Sequence, residues 1–345
     1  MKKKRHSIKD IAAELKTSVT TVSFVLNGKA KEMKISEELT LKVLAYAKKI
    51  NYQPNQLAQG LRTGKSNIIV FMVEDISNYF FARIARIIED IAYKKGYKVI
   101  FCSNENNDEK SRDLIRLFKE RQIDGYIIIP SPGIQKDIEE LMNENIPVVL
   151  FDRYFPDFDS HYVIIDNKEA AYNATLHLIK NKFKNIAFIT INTRQIQMLD
   201  RLDGYKKAIQ QYELKENILE IPYAADGMSQ GKAFIRDYIL HNDMDAVFFA
   251  TNYLTQSGLQ AIKENFPHFL TELGIITFDD HELFKIYNPS ISAISQPRHK
   301  IAENLMEIML KLLKNSESPH NFHKVVLKST LFSRESTMFK GASYS

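Results

Sequence analysis

The sequence holds one cysteine in 345 residues, Cys102, so no internal disulfide can staple the chain. That fits a reducing compartment. No apolar run reaches the length of a bilayer span. The basic start, Met-Lys-Lys-Lys-Arg, is followed by neither an apolar stretch nor a small-residue cleavage site. A secretory leader is therefore not expected, and the chain is expected to stay in the cytoplasm. Enzyme signatures are missing as well. There is no G-x-G-x-x-G, P-loop, H-E-x-x-H or C-x-x-C, which removes the dinucleotide fingerprint and the common local metal motifs. The nearest approach to a metal cluster is Asp279-Asp280-His281-Glu282, and consecutive residues rarely converge on one ion. No catalytic group, metal or cofactor is expected.

What is present is ordinary in amount and uneven in placement. Apolar residues make up 44% and charged residues 26%, as in globular proteins, and the length suggests two domains or three. Net charge is +5 overall. Residues 1–65 carry 14 Lys/Arg against 5 Asp/Glu, hence +9, and residues 66–345 carry 33 against 37, hence −4. A small basic head on a mildly acidic body points to a polyanion partner for the head. A membrane surface would need a longer apolar face beside the cations.

Three short helices are expected in the head, over residues 1–53. Ser7 with Asp10 reads as a capping box, and Ile8, Ile11, Ala12 and Leu15 share one face. Ser18 caps a second helix whose inward face is Val22, Val25 and Leu26. Ser36 starts a third, with Leu39, Val43, Leu44, Ala47 and Ile50 as its buried stripe. Two short helices with a three-residue break between them form a helix-turn-helix pattern. Other small helical bundles share the pattern, and the charge favours the first reading. Residues 54–66 form a linker with a two-turn apolar stripe, too short to be a stable helix alone.

From residue 68 apolar strands alternate with amphipathic helices. The expected strands are Ile68–Val73, Lys98–Cys102, Gly125–Ile129, Val148–Phe151, Tyr162–Ile165, Ile186–Ile189, Ala246–Phe249 and Ile275–Phe278, with two late ones near Val325 and Leu331. Such runs mean parallel sheets covered on both faces. The fold class expected is α/β: an all-α head and a core of two doubly wound lobes over residues 67–345. The first lobe is placed at about 67–165 and 297–322, the second at about 166–296 and 323–340.

Several segments stand in an order that carries a resemblance: Ile8-Lys-Asp-Ile-Ala, Ser18-Val-Thr-Thr-Val-Ser, Val25-Leu-Asn-Gly, Leu61-Arg-Thr-Gly-Lys-Ser, Asp75-Ile-Ser-Asn-Tyr-Phe-Phe, Val149-Leu-Phe-Asp-Arg, Asp166-Asn, Arg201-Leu-Asp-Gly-Tyr, Phe278-Asp-Asp, Gln296-Pro and Arg334-Glu-Ser-Thr. Over residues 5–338 the chain resembles the lactose/galactose-repressor family of bacterial transcription regulators. The resemblance implies a DNA-binding head, a hinge helix and a core like type I periplasmic binding proteins. It implies a homodimer on a palindromic operator in double-stranded DNA, and a small-molecule effector between the lobes.

The DNA-contacting set implied is Ser7, Ser18, Val19, Thr20, Thr21, Ser23, Phe24, Asn27, Leu61 and Arg62. Val19, Thr20 and Phe24 take the base-reading positions. Thr20 can hydrogen-bond a base edge, and methyl groups can meet thymine methyls. Thr21, Ser23 and Asn27 could reach phosphates, which position without specifying. Leu61 matches a wedge that opens the minor groove, with Arg62 beside it. Two departures stand out. Phe24 replaces a polar or basic reader, and Lys16 replaces the usual turn glycine, so that turn is either free of positive φ or strained.

The effector set implied is Phe80, Phe81, Arg153, Arg201, Asn252, Asp279 and Gln296. Aromatic faces suit sugar C–H surfaces or a planar base. Arg201 would clamp hydroxyl or anionic groups, and Asp279 would accept two hydroxyl hydrogen bonds. Tyr253 follows Asn252 where the family usually has aspartate. The set favours a carbohydrate, and a purine or phosphorylated metabolite is compatible with it. The reading is a ligand-controlled repressor and not an enzyme. Its rivals are a periplasmic-type sugar receptor, which would need export, and a doubly wound enzyme, which would need catalytic groups the sequence does not offer.

Overall fold

In the computed structural model, residues 6–52, 65–223, 228–314 and 321–338 are described. The chain divides into two compact units, residues 1–66 and 67–345.

The first unit contains α1 (Ile8–Glu14), α2 (Val19–Leu26) and α3 (Glu37–Lys49). Ser7 and Asp10 form the capping box, Ser18 accepts from the Thr21 amide, and Ser36 from the Leu39 amide. Ile11, Ala12, Val22, Val25, Val43 and Ala47 make the core. Leu44 does not join it and is 47% exposed. Position 44 lies about 100° around the helix from Val43, off the face carrying 39, 43, 46 and 50. The break between α1 and α2 is of the strained kind, since Lys16 has φ 49°.

The second unit opens with β1 (Ile68–Val73), α4 (Tyr79–Lys94), β2 (Lys98–Ser103), α5 (Asp108–Glu120), β3 (Gly125–Ile128), α6 (Gln135–Asn143), β4 (Val148–Phe151) and β5 (Tyr162–Ile165). It continues with α7 (Asn167–Lys180), β6 (Ile186–Asn192), α8 (Ile196–Gln211), β7 (Ile218–Pro222), α9 (Met228–His241), β8 (Ala246–Phe249), α10 (Asn252–Asn265), α11 (Phe269–Glu272), β9 (Gly274–Phe278), α12 (Glu282–Ile286) and β10 (Ser292–Ser295). It closes with α13 (Arg298–Leu313), β11 (Lys324–Leu327) and β12 (Thr330–Phe332).

Two sheets result, in the orders β2-β1-β3-β4-β5-β11 and β7-β6-β8-β9-β10-β12. All pairings are parallel except β12 on β10. The central strands are buried on both faces, as in Ile69–Val73 and Ala246–Phe249, because helices cover each side. The two lobes repeat one strand order and differ in the direction of the last strand.

Two strands were not expected from sequence, β7 and β10. The first is an edge strand with Glu220 and Pro222 in it, and the second begins and ends in serine. The lobe boundary also moves. Residues 323–340 do not all belong to the second lobe, because β11 pairs with β5 in the first sheet. The chain crosses after β11, where Asp166 Oδ1 accepts the Ser329 amide and hydroxyl. The final turn then pins the second lobe. Arg334 forks onto Asp280 at 2.8 and 2.7 Å, and the Ser336 hydroxyl donates to the Ile275 carbonyl.

Candidate functional site

Each sheet reverses its order around its first strand, β1 in one lobe and β6 in the other. Open α/β sheets hold ligands outside the carboxyl ends of strands at such a point. The segments following β1, β4, β6, β8 and β9 meet there across the two lobes. They enclose a cavity of about 50 Å³, room for a few waters. A sugar ring enters only if the walls part.

The first lobe supplies Glu74, Asn78, Phe80, Phe81 and Asp152, and the second supplies Gln195, Gln197, Met198, Arg201, Thr251, Asn252, Tyr253 and Asp279. Phe80 and Phe81 follow the Asn78 cap of α4, pack edge to face at 5.3 Å and both rest on Phe151. Arg201 reaches the cavity from α8. Its Nε donates to Asn167 Oδ1 at 2.9 Å, one Nη donates to the Ala250 carbonyl at 2.8 Å, and the guanidinium lies 3.8 Å from the Phe278 ring centroid. The nearby Gly204 is required because a Cβ there would collide with the Lys168 carbonyl on α7.

Two aspartates face the cavity from equivalent places, each just after the fourth strand of its lobe. Asp152 has φ 66° and Asp279 has φ 70°, left-handed values that aspartate tolerates better than most residues. Burial pushes both carboxyls above the ordinary range. For Asp152, the charges of Arg153 and Arg201 pull it back, while Asp279 and Glu74 push it further up. For Asp279, Arg201, the Gln296 hydrogen bond and Arg298 pull it back.

Five of the seven expected effector residues line the cavity: Phe80, Phe81, Arg201, Asn252 and Asp279. The other two stand behind it. Gln296 Nε2 donates to Asp279 Oδ1 at 2.6 Å and fixes that carboxylate. The buried guanidinium of Arg153 is committed to Glu74, to Asn106 Oδ1 and to the Pro130 carbonyl. Asn78, Asp152, Gln195 and Gln197 were not singled out from sequence. Gln195 Nε2 and Gln197 Oε1 are buried with no hydrogen-bond partner, a costly state that a polar ligand would relieve. The run Asp279-Asp280-His281-Glu282 serves four separate ends. Asp279 faces the cavity, Asp280 holds Arg334, His281 caps α12, and Glu282 pairs with Lys285. No group of metal-ligating side chains occurs among the described residues.

In the head, Val19 and Thr20 are exposed in the first turn of α2, and Phe24 is half-buried and outside the core cluster. Ser7, Ser18 and Thr21 are engaged in caps, with Thr21 Oγ1 2.8 Å from Ser18 Oγ. Ser23 differs from expectation. It is 9% exposed beneath the Asn27 amide, whose Nδ2 donates to the Ser23 carbonyl at 2.7 Å, so it is poorly placed to meet a phosphate. Leu61 and Arg62 lie outside the described residues. No described helix is long and apolar enough to cross a membrane.

Residues 7–55 match the family described as bacterial regulatory proteins, lacI family, and residues 69–317 match a periplasmic binding protein domain. The HTH-type transcriptional regulator RegA of Clostridium saccharobutylicum is 30% identical over 96% of this chain and 99% of its own length. The ribose operon repressor of Halalkalibacterium halodurans is 29% identical over 96% and 97%. Among solved structures, a LacI family transcriptional regulator from Enterococcus faecium with bound ribose superposes with TM-score 0.69 at 24% identity, covering 79% of this chain and 98% of that one. The chain belongs to the lacI family of bacterial regulatory proteins: it is a DNA-binding transcription regulator, not an enzyme, with a helix-turn-helix head and a core of the periplasmic binding protein type.

Proposed function

We propose that this chain is a cytoplasmic homodimeric repressor whose affinity for a palindromic operator is set by a neutral pentose-type sugar held between its lobes. The observation that carries the sugar reading is the pair Asp152 and Asp279. Two buried carboxylates facing one cavity from opposite lobes are suited to accept hydroxyl hydrogen bonds, each oxygen having spare lone pairs. Arg201 and Asn252 add donors, Gln195 and Gln197 add an unmet donor and acceptor, and Phe80 and Phe81 offer apolar faces to ring C–H groups. The ribose named for two relatives supports a pentose.

In the head, Val19 and Thr20 would read bases, Asn27 and Thr21 would approach phosphates, and Leu61 with Arg62 would enter the minor groove. Large apolar side chains left exposed on the core, such as Tyr93 and Ile286, offer surface for a second copy. The lobes already touch at the cleft mouth. Asn252 Nδ2 donates to Asn78 Oδ1 at 3.2 Å, and Tyr223 Oη donates to Glu74 Oε1 at 3.0 Å. A sugar contacting both lobes would change their closure and so the spacing of two hinge segments on DNA. Coupling of this kind is about 1–3 kcal/mol.

The test is a thermal-shift panel of pentoses, hexoses, their phosphates and free nucleobases at millimolar concentration. A ligand bound only by the folded state raises Tm by mass action. A neutral pentose is expected to raise it. A response to nucleobases alone, or to no sugar, overturns the reading.

A further inference from the structure

The sugar cavity has a larger neighbour. A cavity of about 680 Å³ shares Glu74, Asn78, Phe81, Asn252 and Tyr253 with it and extends outward between the lobes. That volume lies in the range of small-molecule sites. We propose that this outer cavity is a second ligand subsite, taking a flat ring with N–H donors attached to the sugar, so that the effector is a nucleoside rather than a free or phosphorylated pentose. The inference rests on the sugar reading above.

Charge excludes the phosphate. Glu74, Asp75 and Glu105 line the outer cavity, and no lysine or arginine does so among the described residues. The two cations that approach these acids are already used, Arg153 on Glu74 and Lys110 on Glu105. Burial and the charge of Arg298 hold the His281 imidazole below the ordinary range, against the pull of Glu282 and Asp280, which disfavours a cation there. An anionic group entering here would meet three carboxylates in the wall, whereas the guanidiniums of Arg83 and Arg298 stand outside the lining, 5.9 and 5.7 Å from the Tyr79 ring.

Shape and chemistry then select the ring. Tyr79, Phe81, Tyr223, Tyr253 and His281 bring five aromatic side chains to one cavity, Tyr79 and His281 packed on each other at 4.1 Å, and Ile221 and Leu254 add apolar wall. Flat rings stack on such faces. The carboxylate at Asp75 holds only its neighbour Ser77, by amide at 2.8 Å and hydroxyl at 2.7 Å, and retains lone pairs for an amino group. Gln256, half-buried in the same wall, offers both a donor and an acceptor for a base edge.

Calorimetry on the intact protein with D-ribose, adenosine and ribose 5-phosphate tests this. Adenosine is expected to bind at least about tenfold tighter than ribose, and ribose 5-phosphate at least about tenfold weaker. Gln256→Trp would fill the outer cavity without touching the inner one. It should erase most of the adenosine advantage, while retained ribose affinity reports an intact fold. Adenosine no tighter than ribose overturns the outer subsite and leaves the sugar reading standing. Tight binding of ribose 5-phosphate overturns the charge argument. Failure of both ribose and adenosine overturns the sugar reading and this inference together.

Discussion

The two lobes share a strand order and a left-handed aspartate after the fourth strand, yet each handles its arginine differently. In the first lobe Arg153 follows Asp152 in sequence and turns away from the cavity, onto Glu74, Asn106 and the Pro130 carbonyl. In the second, Arg201 comes from a helix far from Asp279 in sequence and faces the cavity, 3.9 Å from that carboxylate. The support for the carboxylates differs too. Asp279 receives an amide hydrogen bond from Gln296, whereas the nearest cation to Asp152 is Arg153 Nε at 3.7 Å. Repeated strand order sets where the carboxylates stand. Local reach decides which cation serves structure and which serves ligand.

The largest expected effect breaks this contrast on the structural side. Arg153→Met leaves Glu74 without its buried partner, so urea unfolding should lose about 3–5 kcal/mol. Arg201→Met also strips a donor from Asn167 and the Ala250 carbonyl and a counter-charge from Asp152 and Asp279, so it should cost stability too and should in addition remove sugar binding. Equal losses of sugar affinity in the two variants would mean that the arginines are not divided as described. On the ligand side, Asp279→Asn keeps the left-handed backbone and removes the charge. Calorimetry should find sugar affinity reduced by about 2–5 kcal/mol, with operator affinity unchanged. Thr20→Ala lies in the head and should relax base preference by about 1–3 kcal/mol at one step per half-site. An unaltered preference at every position would remove Thr20 from the readers.

The smallest effect sharpens the comparison of the two aspartates. Asp152 has a folded-state pKa raised above its unfolded value, so the folded chain holds that proton more tightly. Its contribution favours folding below the unfolded pKa and is lost as pH rises through the folded one. In its ionised form the buried group is a cost. Asp152→Asn should therefore raise stability near pH 7 by about 0.5–2 kcal/mol, while weakening sugar binding. That gain should shrink as pH falls toward the ordinary carboxylate range. A loss of stability at pH 7 would show that Asp152 is better satisfied than its contacts indicate.

Much of this was legible in sequence because buried parallel strands are continuous apolar runs, and helix caps are local. Ser7, Ser18 and Ser36 announce their helices within three residues. Short or edge strands with polar residues are not announced: β7 lies at a sheet edge and carries Glu220 and Pro222, and β10 is four residues long with serine at both ends. Residues with strong chemistry, such as Arg201 on α8 and Asp279 at the end of β9, could be named from the resemblance. Asp152 was passed over for its neighbour Arg153, because sequence does not reveal which of two adjacent side chains a left-handed turn directs inward. Gln195 and Gln197 carry no motif, and their unmet hydrogen bonds exist only in three dimensions. The inward faces of α2 and α3 were read in the right register; the stripe of α3 was drawn one residue too wide at Leu44, and Ser23 is covered by the Asn27 amide, a contact that periodicity does not reveal.

The central claim is that sugar held between Asp152 and Asp279 sets operator affinity. The most direct test is an operator titration of the intact protein with and without the tightest-binding pentose or pentoside, repeated on Asp279→Asn. The account predicts that the ligand changes wild-type operator affinity at least about fivefold. It predicts no change in the variant, whose affinity without ligand matches wild type. A ligand that binds the cleft and leaves operator affinity untouched, or that shifts the variant as much as the wild type, would contradict it.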